Sequence, residues 1–202
     1  MRTDTISTDV YKFEELSKES KEKAIEKLHD CNTDYYDWHD GTTEDAKQIA
    51  EILGIDITNI YFSGFYSQGD GACFEGSYEY KKGSVKAIKE YAPKDEKLHS
   101  IAEELFQLQK SHAYKISAKV VQSGHYNHSG CTDLTFYRDG ESYWGNMIVD
   151  EEAFTEVLRS FMDWIYKALE RQYDYLRSDE AIKETIEANE DWEFTVDGTK
   201  YI

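Results

Sequence analysis

The chain has 202 residues, 40% of them hydrophobic and 14% aromatic, with 41 acidic against 23 basic side chains and a net charge of −18. That apolar content suffices for a buried core and excludes wholesale disorder, while the charge sets most of the surface against a phosphate backbone, so direct nucleic-acid binding is not expected. No apolar run approaches the ~20 residues of a membrane span, the start "MRTDTISTDVYKF" lacks the apolar region of a signal peptide, and three cysteines are too sparse and odd a set for a disulfide scaffold.

A cytoplasmic protein is expected, and with one proline (Pro93) and no Ser/Gly/Pro-rich linker, a single domain over 1–202. In chain order, residues 6–13 read as a lone strand that joins a sheet. Residues 17 to about 30 read as a helix with Ala24, Ile25 and Leu28 inward. Thr42 and Asp45 form a capping-box-like start for the next helix, whose Ala46, Ile49, Ala50 and Leu53 share a face and which Gly54 stops. "NIYFSGFYS" (59–67) alternates so that Ile60, Phe62, Gly64 and Tyr66 share a face, and "ACFEGSYEY" (72–80) does the same with Ala72, Phe74, Gly76, Tyr78 and Tyr80; the two pair best as a hairpin.

A short helix over Ser84–Tyr91 ends before Pro93, and residues 95–110 repeat the helical pattern through Leu98, Ile101, Ala102, Leu105 and Leu108. "AYKISAKVVQS" (113–123) and "CTDLTFYRD" (131–139) make a second hairpin around "GHYNHSG". The longest helix begins near Asp150 and carries Phe154, Val157, Leu158, Phe161, Met162, Ile165, Ala168 and Leu169 on one stripe. "SDEAIKETIEAN" adds a last helix from Ser178 to about Asn189, and "WEFTVDGTKYI" a hairpin whose Asp197-Gly198 suits a two-residue turn. The fold class is α+β: an antiparallel β-sheet covered by helices, with a long C-terminal amphipathic helix.

Three stretches carry candidate chemistry. In "SGFYSQGDGACFEG" (63–76), Gln68, Gly69, Asp70 and Gly71 span a hairpin tip, and the glycine amides with these polar side chains suit either a tight turn or a small ligand concavity. The stretch lacks the Lys-Ser/Thr of a P-loop and does not lead into a helix, so neither a P-loop nor a dinucleotide fingerprint is read there. In "GHYNHSGC", His125, His128 and Cys131 recur at intervals of three. With Cys73 or Asp70 they would make a tetrahedral zinc site if the two tips lie side by side; otherwise the segment is a polar turn with a small buried cysteine, and no cofactor is implied. Cys-His nucleophilic chemistry needs the same convergence. In "HDCNTDYYDWHDG", Asp34, Tyr35, Tyr36, Asp37 and Trp38 join aromatics to carboxylates, without calcium-loop spacing, and suit either a solvated helix-to-helix connection with anchoring aromatics or a surface for a basic partner.

Charge is also unevenly placed. Residues 141–193 hold 15 acids and 5 bases, and residues 81–124 hold 9 lysines and 5 acids. On the long helix Glu151, Glu152, Glu156, Asp163, Glu170 and Asp174, followed by Asp179, Glu180, Glu184 and Glu187, suit either a solubilising face or a dock for a cationic protein.

"YFSGFYSQGDGACFEGSY", "GHYNHSGC" and "QYDYLRSDEAIKETIEANEDWEFTVDG" resemble a family of small acidic proteins encoded by tailed bacteriophages, prophages and plasmids, over about residues 17–198. The resemblance brings no catalytic mechanism. It implies a mobile-element origin, in which short acidic proteins bind and neutralise host defence machinery; some relatives bear an antitoxin label. The expected function is therefore a non-enzymatic acidic binding protein, anti-CRISPR-like or DNA-mimicking, that inhibits a host defence or nucleic-acid-handling protein in the bacterial cytoplasm. Its partner would be a basic host protein or nucleoprotein complex, and a homodimer is left open. The alternative is a small-ligand or metal-binding protein, enzymes included, that uses the loops at 67–71 and 125–131.

Overall fold

The computed structural model describes residues 7–142 and 150–201, and the chain is α+β. It divides into two compact units, Asp40–Glu170 and Met1–His39 with Arg171–Ile202.

In the larger unit the elements are α2 (Asp40–Leu53), β1 (Ile55–Phe62), β2 (Ala72–Glu79), α3 (Ser84–Tyr91), α4 (Glu96–Ser111), β3 (Ile116–Gln122), β4 (Thr132–Arg138), β5 (Glu141–Ser142) and most of α5 (Glu151–Leu176). The strands form one antiparallel sheet in the order β1-β2-β3-β4-β5. Strand alternation sends Phe74 and Tyr78 of β2, Ile116, Ala118 and Val120 of β3, and Phe136 of β4 into the core. There they meet the apolar stripe of α5: Phe74 lies 6.1 Å from Phe161, Tyr78 6.3 Å from Phe154, and Phe136 5.9 Å from Phe154, between ring centroids. Each fully buried side chain of this kind contributes about 1.5–3 kcal/mol. Burial is also what pushes the Tyr78 phenol up to about 12.

Helix ends follow local chemistry. Asp95 caps α4 by accepting the Leu98 N–H at 3.0 Å, and Gly54, at φ 87, ends α2 and takes the Glu79 N–H on its carbonyl at 2.9 Å. Two boundaries differ from expectation. Helix α2 starts at Asp40, before the Thr42/Asp45 pair. Strand β1 covers 55–62 with a bulge between Ile57 and Asn59, so Gly64 and Tyr66 leave the ladder. The cause is Asp70, whose carboxylate accepts the N–H of Tyr66 at 3.0 Å and of Ser67 at 2.7 Å and offers that backbone an alternative to strand pairing.

The smaller unit holds a 3-10 turn at Phe13–Glu15, α1 (Lys18–Lys27), the last turns of α5, α6 (Asp179–Ala188) and the paired β6 (Glu193–Phe194) and β7 (Lys200–Tyr201). Ser17 and Ser178 cap α1 and α6 through the N–H of Ser20 and of Ala181. Phe13, Leu16, Ala24, Ile182, Ile186 and Phe194 make its core, with Phe13 and Phe194 rings 5.9 Å apart. The expected N-terminal strand is reduced to one bridge, Tyr11 with Phe194, outside the large sheet, because the backbone turns into the 3-10 helix two residues later; its first residue, Ile6, lies outside the described residues.

The β6–β7 turn is also longer than expected. Thr195 and Thr199 close it (N–H to O 2.9 Å), leaving three residues with Gly198 at φ 77, the arrangement of a three-residue hairpin loop with a left-handed glycine. Inside it, hydrogen bonds from the Thr195 hydroxyl, from Lys27 Nζ at 2.9 Å and from the Thr199 hydroxyl at 2.9 Å hold the Asp197 carboxyl well below the usual aspartate range. A depressed folded value stabilises the protein fully above the unfolded aspartate value of about 4 and loses that contribution as pH falls below it. Acid unfolding of the Asp197→Asn variant, followed at the Phe194 amide by NMR, should therefore show a shallower pH dependence below about 4 than wild type; an identical acid limb would remove Asp197 from the account.

Candidate functional site

The two hairpin tips of the larger unit do meet. Gly71 packs so closely on the other tip that a Cβ there would sit 2.5 Å from the His128 Cβ, and Gly69, at φ 95, lies against the Tyr126 ring. Tyr126 stacks on His128 at 5.9 Å, and Asn127 Nδ2 donates to the Phe62 carbonyl at 3.0 Å. The glycines thus serve close approach of two backbones. Asp70 is directed into its own loop, and Gln68 stands exposed on the tip.

Of the zinc candidates, His128 and Cys131 come together, Nε2 to Sγ 3.5 Å. His128 Nδ1 accepts the Gly130 N–H at 3.1 Å, so in the neutral ring the proton sits on Nε2 and is donated to the sulfur. That tautomer cannot take a proton from the thiol, which argues against a Cys-His general-base pair. Cys73 is fully buried and its thiol is pushed up to about 11, by burial first and by Cys131 second. His125 is exposed. Among the described residues no three His, Cys, Asp or Glu side chains are grouped to hold a metal ion, so the four ligands proposed from sequence do not converge.

The acids of α5 are better ordered. Glu152, Glu156, Asp163 and Glu170, at spacings of four, seven and seven, fall within about 40° of one another on a helix of 3.6 residues per turn and cover about 27 Å of its length. Glu151 lies about 100° off that line, and Asp174 is in the stretch of α5 that belongs to the smaller unit. Glu152, Glu156 and Asp163 are exposed, and none has an ion-pair partner among the described residues. Two cations share the line: Arg159 is turned inward, donating to the Thr132 carbonyl at 3.1 Å, and Lys167 pairs with Glu170 at 2.7 Å. Next to Glu170, Tyr166 has its phenol raised by burial, then by Glu170 and Asp70.

In the smaller unit the 34–38 loop presents Asp34, Tyr35, Tyr36 and Asp37 to solvent, with Tyr36 92% exposed. Trp38 behaves differently from its neighbours: it is half-buried, its ring 5.4 Å from Tyr173 and 5.5 Å from His39. It anchors the loop, and the tyrosines are the offered surface.

A family model described as a domain of unknown function (DUF8835) matches residues 38–179, more than half of the chain. The chain belongs to this family. No curated protein and no solved structure matches it. The matched span of this DUF8835 protein takes in both hairpin tips and all of α5, and leaves most of the 29–41 stretch outside. Among the described residues of the DUF8835 chain no helix is long and apolar enough to cross a membrane.

Reading the sequence passed over two features. Tyr66 and Tyr126, 75% and 59% exposed, are the aromatics at the joined tips, and both lay in quoted motifs whose glycines and histidines drew the attention instead. Glu75 on the outer face of β2 accepts from Tyr61 Oη at 2.8 Å and from the Gln122 N–H at 3.3 Å, which lowers its carboxyl. The regular polar alternation 75, 77, 79 was its only signal.

Proposed function

We propose that this chain is a non-enzymatic acidic binding protein of phage or other mobile-element origin that inhibits a host defence or nucleic-acid-handling protein in the bacterial cytoplasm. One observation carries the reading: exposed carboxylates run in a line along α5, and the cations on that line are turned inward or paired. Steps of about 6 and 10 Å between successive acids, from the helical rise, put negative charge at intervals that a groove lined for phosphates accepts. A surface of this kind steers a basic partner into contact and repels polyanions. The exposed tyrosines at 35 and 36 add the aromatic contact that favours protein interfaces.

The test is capture of host protein on the immobilised chain at stepped salt, wild type against a Glu152→Lys, Glu156→Lys, Asp163→Lys triple variant. A basic, nucleic-acid-handling protein should elute as salt rises, because its attraction is screened. The triple variant should retain it about fivefold to a hundredfold less well, since each reversed charge costs a few tenths to about 1 kcal/mol in solvent. Equal retention by both chains, or binding indifferent to salt, would remove α5 from the interface and mimicry from the account.

A further inference from the structure

Lys167 shows what the meeting of α5 with the 63–71 tip attracts. Its ammonium stands over the Tyr166 ring, 5.4 Å from the centroid, and pairs with Glu170 at 2.7 Å. A cation gains there from the negative face of an aromatic ring and from a carboxylate at once. Glu170 is the stronger partner for its setting, with only 26% of its side chain exposed, so that solvent screens it less than the other acids of the line.

Packing fixes the ring in place. Phe65 stacks on Tyr166 at 5.5 Å and on Phe62 at 6.4 Å between centroids, and the Tyr166 hydroxyl donates to the Gly64 carbonyl at 3.2 Å. Next in the chain, Tyr66 has its N–H held by the Asp70 carboxylate at 3.0 Å, yet the residue is 75% exposed. Tyr66, like Glu170, lies near enough to Tyr166 to raise its phenol. A pinned loop thus holds an exposed aromatic beside a packed one and a half-buried carboxylate, and little ordering remains for a partner to impose.

A guanidinium suits this arrangement better than an ammonium. It is planar, stacks flat on an aromatic ring, offers edge N–H groups in pairs to a carboxylate and is more weakly hydrated. We propose that Tyr66, Tyr166 and Glu170 form a receptor for an arginine side chain of a basic protein, and that Lys167 is a built-in competitor which the arginine displaces. The partner is the one proposed for α5, so the assignment rests on that reading; it adds the residue type the partner must bring.

Calorimetric and amide NMR titrations of the full chain with hexa-arginine and hexa-lysine test it. Hexa-arginine should shift the Phe65, Tyr66 and Glu170 amides saturably and bind about threefold or more tighter than hexa-lysine. Tyr66→Leu, at an exposed position, should bring the two peptides within about twofold of each other. Lys167→Met should tighten hexa-arginine about threefold, whereas Lys47→Met, which removes the same charge from an equally spaced pair with Glu44 on α2, should change it by less than about twofold. Equal affinity of the two peptides for the wild type, an arginine preference undiminished in Tyr66→Leu, or equal effects of the two lysine changes would each overturn the receptor. Failure of the α5 dock itself reads differently: hexa-lysine would then bind the Glu152→Lys, Glu156→Lys, Asp163→Lys variant as well as the wild type, whatever Tyr66 and Lys167 do.

Discussion

Replacing Gln109 by leucine should lower the unfolding free energy by about 3–5 kcal/mol, as read by urea denaturation. Gln109 sits on α4 with no exposure, and its amide serves the first residue of β3: Nε2 donates to the Ile116 carbonyl at 2.6 Å and Oε1 accepts the Ile116 N–H at 3.3 Å. Nε2 also lies 3.3 Å from the Tyr78 hydroxyl. Neighbouring β2 ends its pairing at Glu79 with Ser117, so the glutamine does for Ile116 what another strand residue would do. Leucine fills the volume and matches the core, yet it orphans two buried backbone groups and a phenol, each at roughly 1–3 kcal/mol. A loss below about 1 kcal/mol would mean that water or a backbone shift satisfies Ile116, and the strand-substitute role would fall.

Gln109 also marks how far the sequence could be read. The stripe Leu98, Ile101, Ala102, Leu105 extends with helical spacing to both 108 and 109, and residue polarity favours Leu108 as the inward position. The fold chooses otherwise: Leu108 is half-buried and Gln109 is sealed. Periodicity locates a buried face, but a buried polar side chain is decided by which backbone groups a tertiary neighbour leaves unpaired, and no local pattern records that.

At several element ends where the deciding contacts are local, sequence and structure agree, although the start of α2 and the length of the β6–β7 turn, equally local, differ. The helix starts read at 17, 95 and 178, which Ser17, Asp95 and Ser178 cap, the Gly54 stop and the end of α3 ahead of Pro93 each depend on chemistry within a few residues. The inward stripe of α5 is nearly as legible: seven of the eight apolar positions read at helical spacing are buried, while Ala168 is half-buried and Trp164 joins the buried face.

The candidate site divides along the same line. That Asp34, Tyr35, Tyr36 and Asp37 are offered to solvent follows from a polar loop between helices, whereas the retreat of Trp38 onto Tyr173 depends on a residue 135 positions later in the chain. Asp70 was legible as a turn residue but not as one whose carboxylate is taken up by the backbone of its own loop. The boundary between the units leaves no compositional mark because it falls at Glu170 and Arg171, inside a continuous helix, where a flexible linker has no place.

Gly198→Ala should be among the most disruptive single-methyl changes in the smaller unit, lowering its stability by about 3–4 kcal/mol. Two costs add there. At φ 77 an alanine is strained by about 1–2 kcal/mol, and its Cβ would stand 2.3 Å from the Ser20 carbonyl oxygen and 2.9 Å from the Ala24 amide nitrogen. Both neighbours are helix backbone of α1, which cannot yield as a flexible side chain does, and the same helix is tied to the turn by the Ser20 hydroxyl donating to the Val196 carbonyl at 2.7 Å. Gly83 supplies the control, since at φ 88 it is strained alike while a Cβ there meets nothing within 4 Å. Gly83→Ala should therefore cost only the strain, about 1–2 kcal/mol. Hydrogen exchange at the Tyr11 and Phe194 amides, which pair with each other at 2.8 Å, reads the smaller unit directly. Exchange there should accelerate about a hundredfold or more in Gly198→Ala and stay unchanged in Gly83→Ala. If the two variants lose equal stability, conformational strain alone governs both glycines, and the close seating of the β6–β7 turn on α1 contributes nothing.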